Sequence, residues 1–266
     1  MDIGIIGLGA IGSAIKLGFE KVGHNVKGYD IAMPETKFDD LLKSEIIYIC
    51  VPTPQDADGS CDTSIVVSVV EELKHSAFYG VIAIKSTVEP GTTQKLIDEF
   101  KNWNICFVPE FLRERSPFID FVENHTLLAV GTRQDRVFDT VIRCHGSLPQ
   151  NVVRMSPTDA EVLKYYQNVY NALRVIFANE MYEVCNAIGA NYDKIFEAFK
   201  LRGTSSGKYM TVNSNWRGYG GMCLPKDTKA FAHIVDQLDL DMNMFRMIVD
   251  ENKKFETTVP DGMRLI

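Results

Sequence analysis

The stretch "RGYGGMCLPKDTKA" (217–230) sets one thiol, Cys223, between a glycine-rich turn and a lysine–aspartate pair. Gly218, Gly220 and Gly221 leave the backbone bare there. Pro225 suits a first helical turn, where its missing donor leaves nothing unpaired, and the pattern predicts a helix over 226–237. Cys223 then stands just before the positive end of that helix, close to Lys226. A helix N-terminus and an ammonium both favour the thiolate, which is the nucleophilic form. The alternative is a small apolar side chain filling a turn. The other cysteines, at 50, 61, 106, 144 and 185, lie far apart without a CxxC pair. That spacing fits reduced thiols in a cytoplasm, and neither a metal site nor a disulfide framework.

A second constellation opens the chain. "IGIIGLGAIGSAIKLGFEKVGHNVKGYD" carries Gly7, Gly9 and Gly12 in GxGxxG spacing after an apolar run, then a helical pattern and a second strand ending at Asp30. Strand, glycine loop, helix and distal acid together predict a dinucleotide site. Leu8, Ala10 and Ile11 complete the loop, and the following helix points its N-terminus at phosphates. Asp30 would accept hydrogen bonds from ribose hydroxyls and repel a 2′-phosphate, which favours NAD over NADP.

Three further loops follow apolar strands: "CVPTP" (50–54), "KSTVEPGTTQ" (85–94) and "VPEFLRERSPF" (108–118). They place Thr53, Thr87, Glu110 and Glu114 at the carboxyl edge of a parallel sheet, where ligands of such folds bind. Each could be a mere connection; recurrence of Thr and Glu at these ends makes a shared cleft the better account. Lys164 and Asn168, four apart, share a helix face, with Asn171 further along. A solvated face would also explain that pair, and periodicity alone does not decide.

The elements that must position these residues form two regions. Up to residue 155, apolar runs at 3–6, 26–29, 46–51, 81–85, 105–108, 126–130 and 152–154 alternate with helical patterns such as 65–74 and 92–101. This is the mark of an α/β fold, a Rossmann-type parallel sheet wrapped by helices. From Pro157 a stretch without proline or glycine runs to Gly189, one long helix opening an all-helical domain over 156–266. It is apolar on more than one face, so a second subunit is expected to cover one of them, giving a homodimer. Further helices are expected at 192–200 and 241–255, and a loop over 201–221.

Bulk properties bound the rest. The chain has 266 residues, 45% hydrophobic and 24% charged, as in ordinary globular proteins. A net charge of −7 argues against nucleic acid or anionic lipid as partner. No apolar run is long enough to span a membrane, and no signal peptide is expected.

Taken in order, GLGAIG, VPTP, STVEPGTT, PEFLRE, the KYYQN segment running to FANE, and GYGGMCLPKDT resemble the UDP-glucose/GDP-mannose dehydrogenase family over nearly the whole chain. Members oxidise the primary alcohol of a sugar nucleotide to a carboxylate, using two NAD molecules without releasing the aldehyde. The resemblance implies Cys223 as nucleophile, forming a thiohemiacetal and then a thioester. It implies Lys164 and Asn168 as oxyanion stabilisers. Asp227, with Thr87 and a water, would assist proton transfer, and Glu110 would act as base in thioester hydrolysis. Pro52, Thr53, Thr87, Glu114 and Lys226 would border the cofactor. Phe111, Leu112 and Arg113, with Tyr219, Gly220 and Gly221, would hold the sugar, and Arg202 would reach a neighbouring subunit's sugar.

Members usually continue into another Rossmann-like domain that grips the nucleotide, for which this sequence has no counterpart. UDP-glucose is the expected substrate, with GDP-mannose or a UDP-N-acetylhexosamine as alternatives. A different class is an NAD-binding module that needs a partner chain for the nucleotide. A β-hydroxyacid dehydrogenase shares the two-domain outline but has no use for a nucleophilic thiol.

Overall fold

The computed structural model describes residues 1–101, 104–113, 115–203, 207–213, 215 and 217–256. The elements run β1 (Asp2–Ile6), α1 (Ala10–Val22), β2 (Asn25–Tyr29), a 3-10 turn (Phe38–Leu41), β3 (Ile46–Ile49) and α2 (Ser64–His75). Next come β4 (Val81–Ile84), α3 (Thr92–Glu99), β5 (Ile105–Phe107), α4 (Pro117–Val122), β6 (Leu128–Gly131), α5 (Asp135–His145) and β7 (Val152–Met155). The helices α6 (Pro157–Ile188), α7 (Tyr192–Lys200), α8 (Leu224–Gln237) and α9 (Met244–Asn252) complete the order. The chain divides into two compact units, one of Met1–Pro54 with Asp62–Lys164, the other of Gln55–Cys61 with everything from Tyr165 onward.

The first unit is built on a seven-stranded sheet of order β2-β1-β3-β4-β5-β6-β7. Every residue of β3 and β4 is buried, which is why these strands read as continuous apolar runs. Side chains nevertheless alternate between two cores. Ile46, Tyr48, Val81 and Ala83 pack on one face, and Ile47, Ile49, Ile82 and Ile84 on the other. The strand order reverses between β1 and β3, so a crevice opens beyond their carboxyl ends. The sheet departs from the all-parallel expectation at one place: β6 pairs antiparallel to β5, through Phe107 and Gly131, and β7 follows β6 in parallel. The chain reaches β6 through the loop after β5 and the short helix α4.

The second unit is helical. Val169, Ala172 and Ile176 of α6 pack with Tyr219 and Ile248, while Cys185 packs with Tyr192, Phe196 and Met210. On α6, Tyr166, Tyr170, Phe177, Met181, Val184 and Ile188 are exposed, a stripe at intervals of about one or two turns. The expected helix over 241–255 forms only at Met244–Asn252. Among the described residues no helix is long and apolar enough to cross a membrane, and no cluster of His, Cys, Asp or Glu could hold a metal ion. None of the six cysteines is disulfide-bonded.

Candidate active site

In the first unit the glycine loop lies at the crevice. Gly7 has φ +90°, and a Cβ there would meet the Cys50 carbonyl at 2.6 Å. A Cβ on Gly12 would stand 1.8 Å from the Gly7 carbonyl oxygen, so only glycine lets α1 start this close to the turn. Gly9 is the N-cap of α1 and exposed; a Cβ there would find nothing within 4 Å. The first turn of α1 has neither a side-chain cap nor an acidic residue, so its amides remain available to an anion from outside the helix. At the end of β2, Asp30 accepts from the Leu8 amide at 2.7 Å and from the Ala32 amide at 2.9 Å, fastening the loop to the acid beside it. Bare glycines, an uncapped helix end and a carboxylate at the second strand fit a dinucleotide with an unmodified ribose.

The other strand ends meet nearby in the same unit. The Ser86 hydroxyl donates to the Val51 carbonyl at 2.6 Å, tying the end of β4 to that of β3. Thr53 is buried, Pro52 exposed and Thr87 half-buried. After β5, Glu110 meets Lys164 from the first turns of α6. The ammonium lies 2.6 Å from Glu110 Oε1 and 2.7 Å from its carbonyl oxygen, and the Leu112 amide donates to Oε2 at 2.8 Å. Burial pushes the Glu110 carboxyl up, but the Lys164 ammonium, its hydrogen bond and the Leu112 amide together hold it below the ordinary value. The solvated-face account of Lys164 fails, since the residue is 4% exposed.

Phe111 and Leu112 are half-buried beside this pair, and the Phe111 ring lies 6.0 Å from the Lys164 ammonium. Arg113 grips Asp120 with two guanidinium bonds of 2.8 and 2.6 Å and a backbone bond of 2.9 Å. Those bonds pull the Asp120 carboxyl down to about 2. Glu114 lies outside the described residues. A groove of about 940 Å³ among Ser44, Tyr79, Arg136 and Arg143 opens where β3 and β4 begin, the sheet edge opposite to all these groups.

In the second unit the thiol stands in the open. α8 begins at Leu224, two residues before the pattern suggested, so Cys223 is itself the N-cap and is exposed. Its carbonyl accepts from the Asp227 amide at 2.9 Å, closing the first turn. Asp227 is 1% exposed; its Oδ2 accepts from the Asn168 amide at 2.6 Å, and its Oδ1 lies 2.8 Å from the Lys226 ammonium. Asn168 and Asn171 are both buried, so this stretch of α6 carries a polar stripe into the packed interior.

The backbone ahead of the thiol is strapped down. Asn252 of α9 accepts from the Tyr219 amide at 2.8 Å and donates to the Tyr219 carbonyl at 3.0 Å, while the Gly218 amide bonds the Glu256 carbonyl at 2.6 Å. The Tyr219 ring is 2% exposed, with its hydroxyl on the Ile248 carbonyl, so this residue has only backbone to offer a ligand. Gly220 and Gly221 are half-buried, the latter at φ +79°. Arg202 is exposed in the turn after α7.

Sequence reasoning missed two supports. Glu161, fully buried on α6, accepts from the Gly91 and Thr93 amides at 2.6 and 2.8 Å and so caps α3, which has no side-chain cap of its own. Lys85, at the end of β4, is 4% exposed and donates to the Val108 carbonyl at 3.2 Å. Lys85 gave a signal, one charge closing an apolar run, whereas Glu161, between Asp159 and Lys164, gave none.

The chain is similar to known proteins. A family model for the NAD binding domain of the UDP-glucose/GDP-mannose dehydrogenase family matches residues 32–146, and one for the central domain of the same family matches 158–254. The chain belongs to this family. The chain is accordingly a nucleotide-sugar dehydrogenase with NAD-binding sequence over 32–146, and NAD is its cofactor. UDP-glucose 6-dehydrogenase of Rickettsia typhi is 27% identical over 296 residues, 95% of this chain and 67% of that protein. Among solved structures, a UDP-glucose dehydrogenase from the archaeon Pyrobaculum islandicum superposes with a TM-score of 0.83 at 26% identity, covering 95% of this chain and 68% of that one. GDP-mannose dehydrogenase from Pseudomonas aeruginosa gives a TM-score of 0.69 at 25% identity, covering 96% and 69%. The chain spans about two thirds of the length of the curated family members it matches.

Proposed function

We propose that the protein oxidises the 6-hydroxymethyl group of a nucleotide sugar, UDP-glucose in the first instance, to the carboxylate in two two-electron steps. The observation that carries this reading is the Cys223 thiol, exposed at the N-cap of α8 with the Asn168–Asp227 bond beginning one turn along. NAD, when bound, supplies the hydride acceptor for each oxidation. Asp227, with Thr87 and a water, takes the proton of the 6-hydroxyl. The Cys223 thiolate then adds to C6 of the aldehyde, and the oxygen that becomes negative is met by the Lys164 ammonium and the second amide hydrogen of Asn168. Loss of hydride from this thiohemiacetal leaves a thioester. Glu110 takes a proton from a water that attacks C6, expelling the Cys223 thiolate and leaving the carboxylate. The covalent bond to sulfur keeps the aldehyde from escaping.

Around that carbon, the glycine loop, Asp30, Pro52, Thr53, Glu114 and Lys226 hold the cofactor. Phe111 to Arg113 and the backbone of Gly220 and Gly221 hold the sugar, with Arg202 reaching the sugar of a second copy. Cys223 has to stay reduced, which suits the cytoplasm. The exposed stripe of α6 supports a homodimer, since a second copy would remove these apolar side chains from water.

GDP-mannose and UDP-N-acetylhexosamines are the second reading, favoured by one observation: in sequence identity the GDP-mannose enzyme, at 25%, stands beside the UDP-glucose enzymes, at 26 and 27%, although its TM-score of 0.69 is below 0.83. Incubating the protein and NAD with each sugar nucleotide in turn, and following NADH, tests both. Turnover of UDP-glucose above the others supports the first; turnover of another supports the second; NADH from none contradicts the activity.

A further inference from the structure

Lys85 has more charge than its structural task requires. Its ammonium is buried at the end of β4, and among the described residues its hydrogen bond is a single one of 3.2 Å to the Val108 carbonyl. That is long for a charge-assisted bond and uses one of three donors. A neutral side chain could satisfy one carbonyl without the cost of burying a charge.

The surroundings give the charge a use. Lys85 and Glu110 both line a cavity of about 30 Å³, together with Asp120, Asn124 and His125. A space of that size holds about one water. The charged and titratable groups facing Glu110 are Lys164 on α6, Lys85 after β4 and Cys50 after β3, with Asp120 and His125 across the cavity. Asp120 is already neutralised by Arg113.

We propose that Lys85 is a positioning residue for the reaction: sharing this cavity with Glu110, its buried ammonium is a second cation that keeps the carboxylate ionised and in place beside Lys164. The inference rests on the role given to Glu110 above. It agrees with the electrostatics, in which Lys85 lowers the Glu110 carboxyl while burial brings Lys85 itself down to about 8.

The test compares Lys85→Gln, which keeps a donor for Val108 and removes the charge, with Lys85→Arg, which keeps the charge. Carbon-13 NMR of labelled glutamate carboxyls, with Glu110 assigned through Glu110→Gln, reads the titration without any substrate. The pH dependence of kcat reads its consequence. In Lys85→Gln both the Glu110 midpoint and the acid limb of kcat should move up by about one pH unit, as expected on losing a nearby opposite charge; Lys85→Arg should restore both. A midpoint that stays in place in Lys85→Gln overturns the proposal, and a moved midpoint with an unmoved limb overturns its part in the reaction. Wild-type protein that oxidises no sugar nucleotide would defeat the functional reading, while the NMR titration would still decide the electrostatic contact. A variant that only loses thermal stability, with both pH readouts unchanged, would show Lys85 to be structural.

Discussion

The Lys164 ammonium touches Glu110 twice, at the carboxylate oxygen and at the same residue's carbonyl, and both side chains are at most one-tenth exposed. A pair this buried is costly to break from one side, because the remaining charge loses its opposite in the pair. Glu110→Gln and Lys164→Met should each lower stability by about 3–5 kcal/mol. The double variant should cost far less than their sum, because both members of the pair are then gone. Urea unfolding of the four proteins checks this, and additive costs would contradict a direct pair.

The two glycines of the cofactor loop should separate fold from binding. Gly12→Ala would place a methyl 1.8 Å from the Gly7 carbonyl oxygen and should unfold or badly destabilise the first unit. Gly9→Ala meets open space and keeps an allowed backbone, so its melting temperature should equal wild type. If the phosphates of NAD approach at Gly9, that variant should nevertheless bind NAD at least about tenfold more weakly, or about 1.4 kcal/mol. Calorimetry with NAD provides the comparison, and unchanged affinity would move the phosphates elsewhere.

Asn252 holds both sides of the Tyr219 residue, four positions before the thiol. Asn252→Ala removes two hydrogen bonds from a buried segment and should cost about 2–3 kcal/mol, while loosening the loop that presents Cys223. Alkylation of Cys223 should become faster in the variant and kcat should fall. Unchanged alkylation and turnover would show that the strap does not govern the thiol.

How much of this was legible depends on the range of the interactions. The centres of β1, β3 and β4 were readable because fully covered parallel strands must be apolar throughout. The glycine loop was readable because its constraints are steric and local. The reversed direction of β6 was not, since apolar residues specify burial and not strand direction. Lys164 and Asn168 could be seen as neighbours on a helix, but Glu110 and Asp227 lie 54 and 59 residues away in sequence from them. Glu161 capping α3 and Arg113 engaging Asp120 escaped for the same reason: a charge in the sequence names no partner. Tyr219 looked like a ligand contact beside glycines, whereas its ring fills the core under α9.

Two histidines in the first unit should make the fold acid-sensitive. His145 is fully buried among Phe19, Tyr48, Phe121 and His125. Burial holds the His145 imidazole well below its ordinary value and brings His125 down to about 4. The unfolded chain therefore binds more protons than the folded one below about pH 6.5, so this stability is full above that pH and is lost as the pH falls toward 4. His145→Phe should reduce the slope of stability against pH in that window by up to about 1.4 kcal/mol per pH unit. Equal slopes in wild type and variant, measured by urea unfolding at a series of pH values, would contradict a neutral buried imidazole.

The central claim is that the Cys223 sulfur carries the sugar through both oxidations. The most direct measurement counts NADH formed per sugar nucleotide consumed, with the product identified by mass spectrometry, in wild type and in Cys223→Ala. The account predicts two NADH and a uronate from wild type, and from Cys223→Ala no uronate with NAD binding intact. Uronate at the wild-type yield from Cys223→Ala, or one NADH and a released aldehyde from wild type, would contradict it.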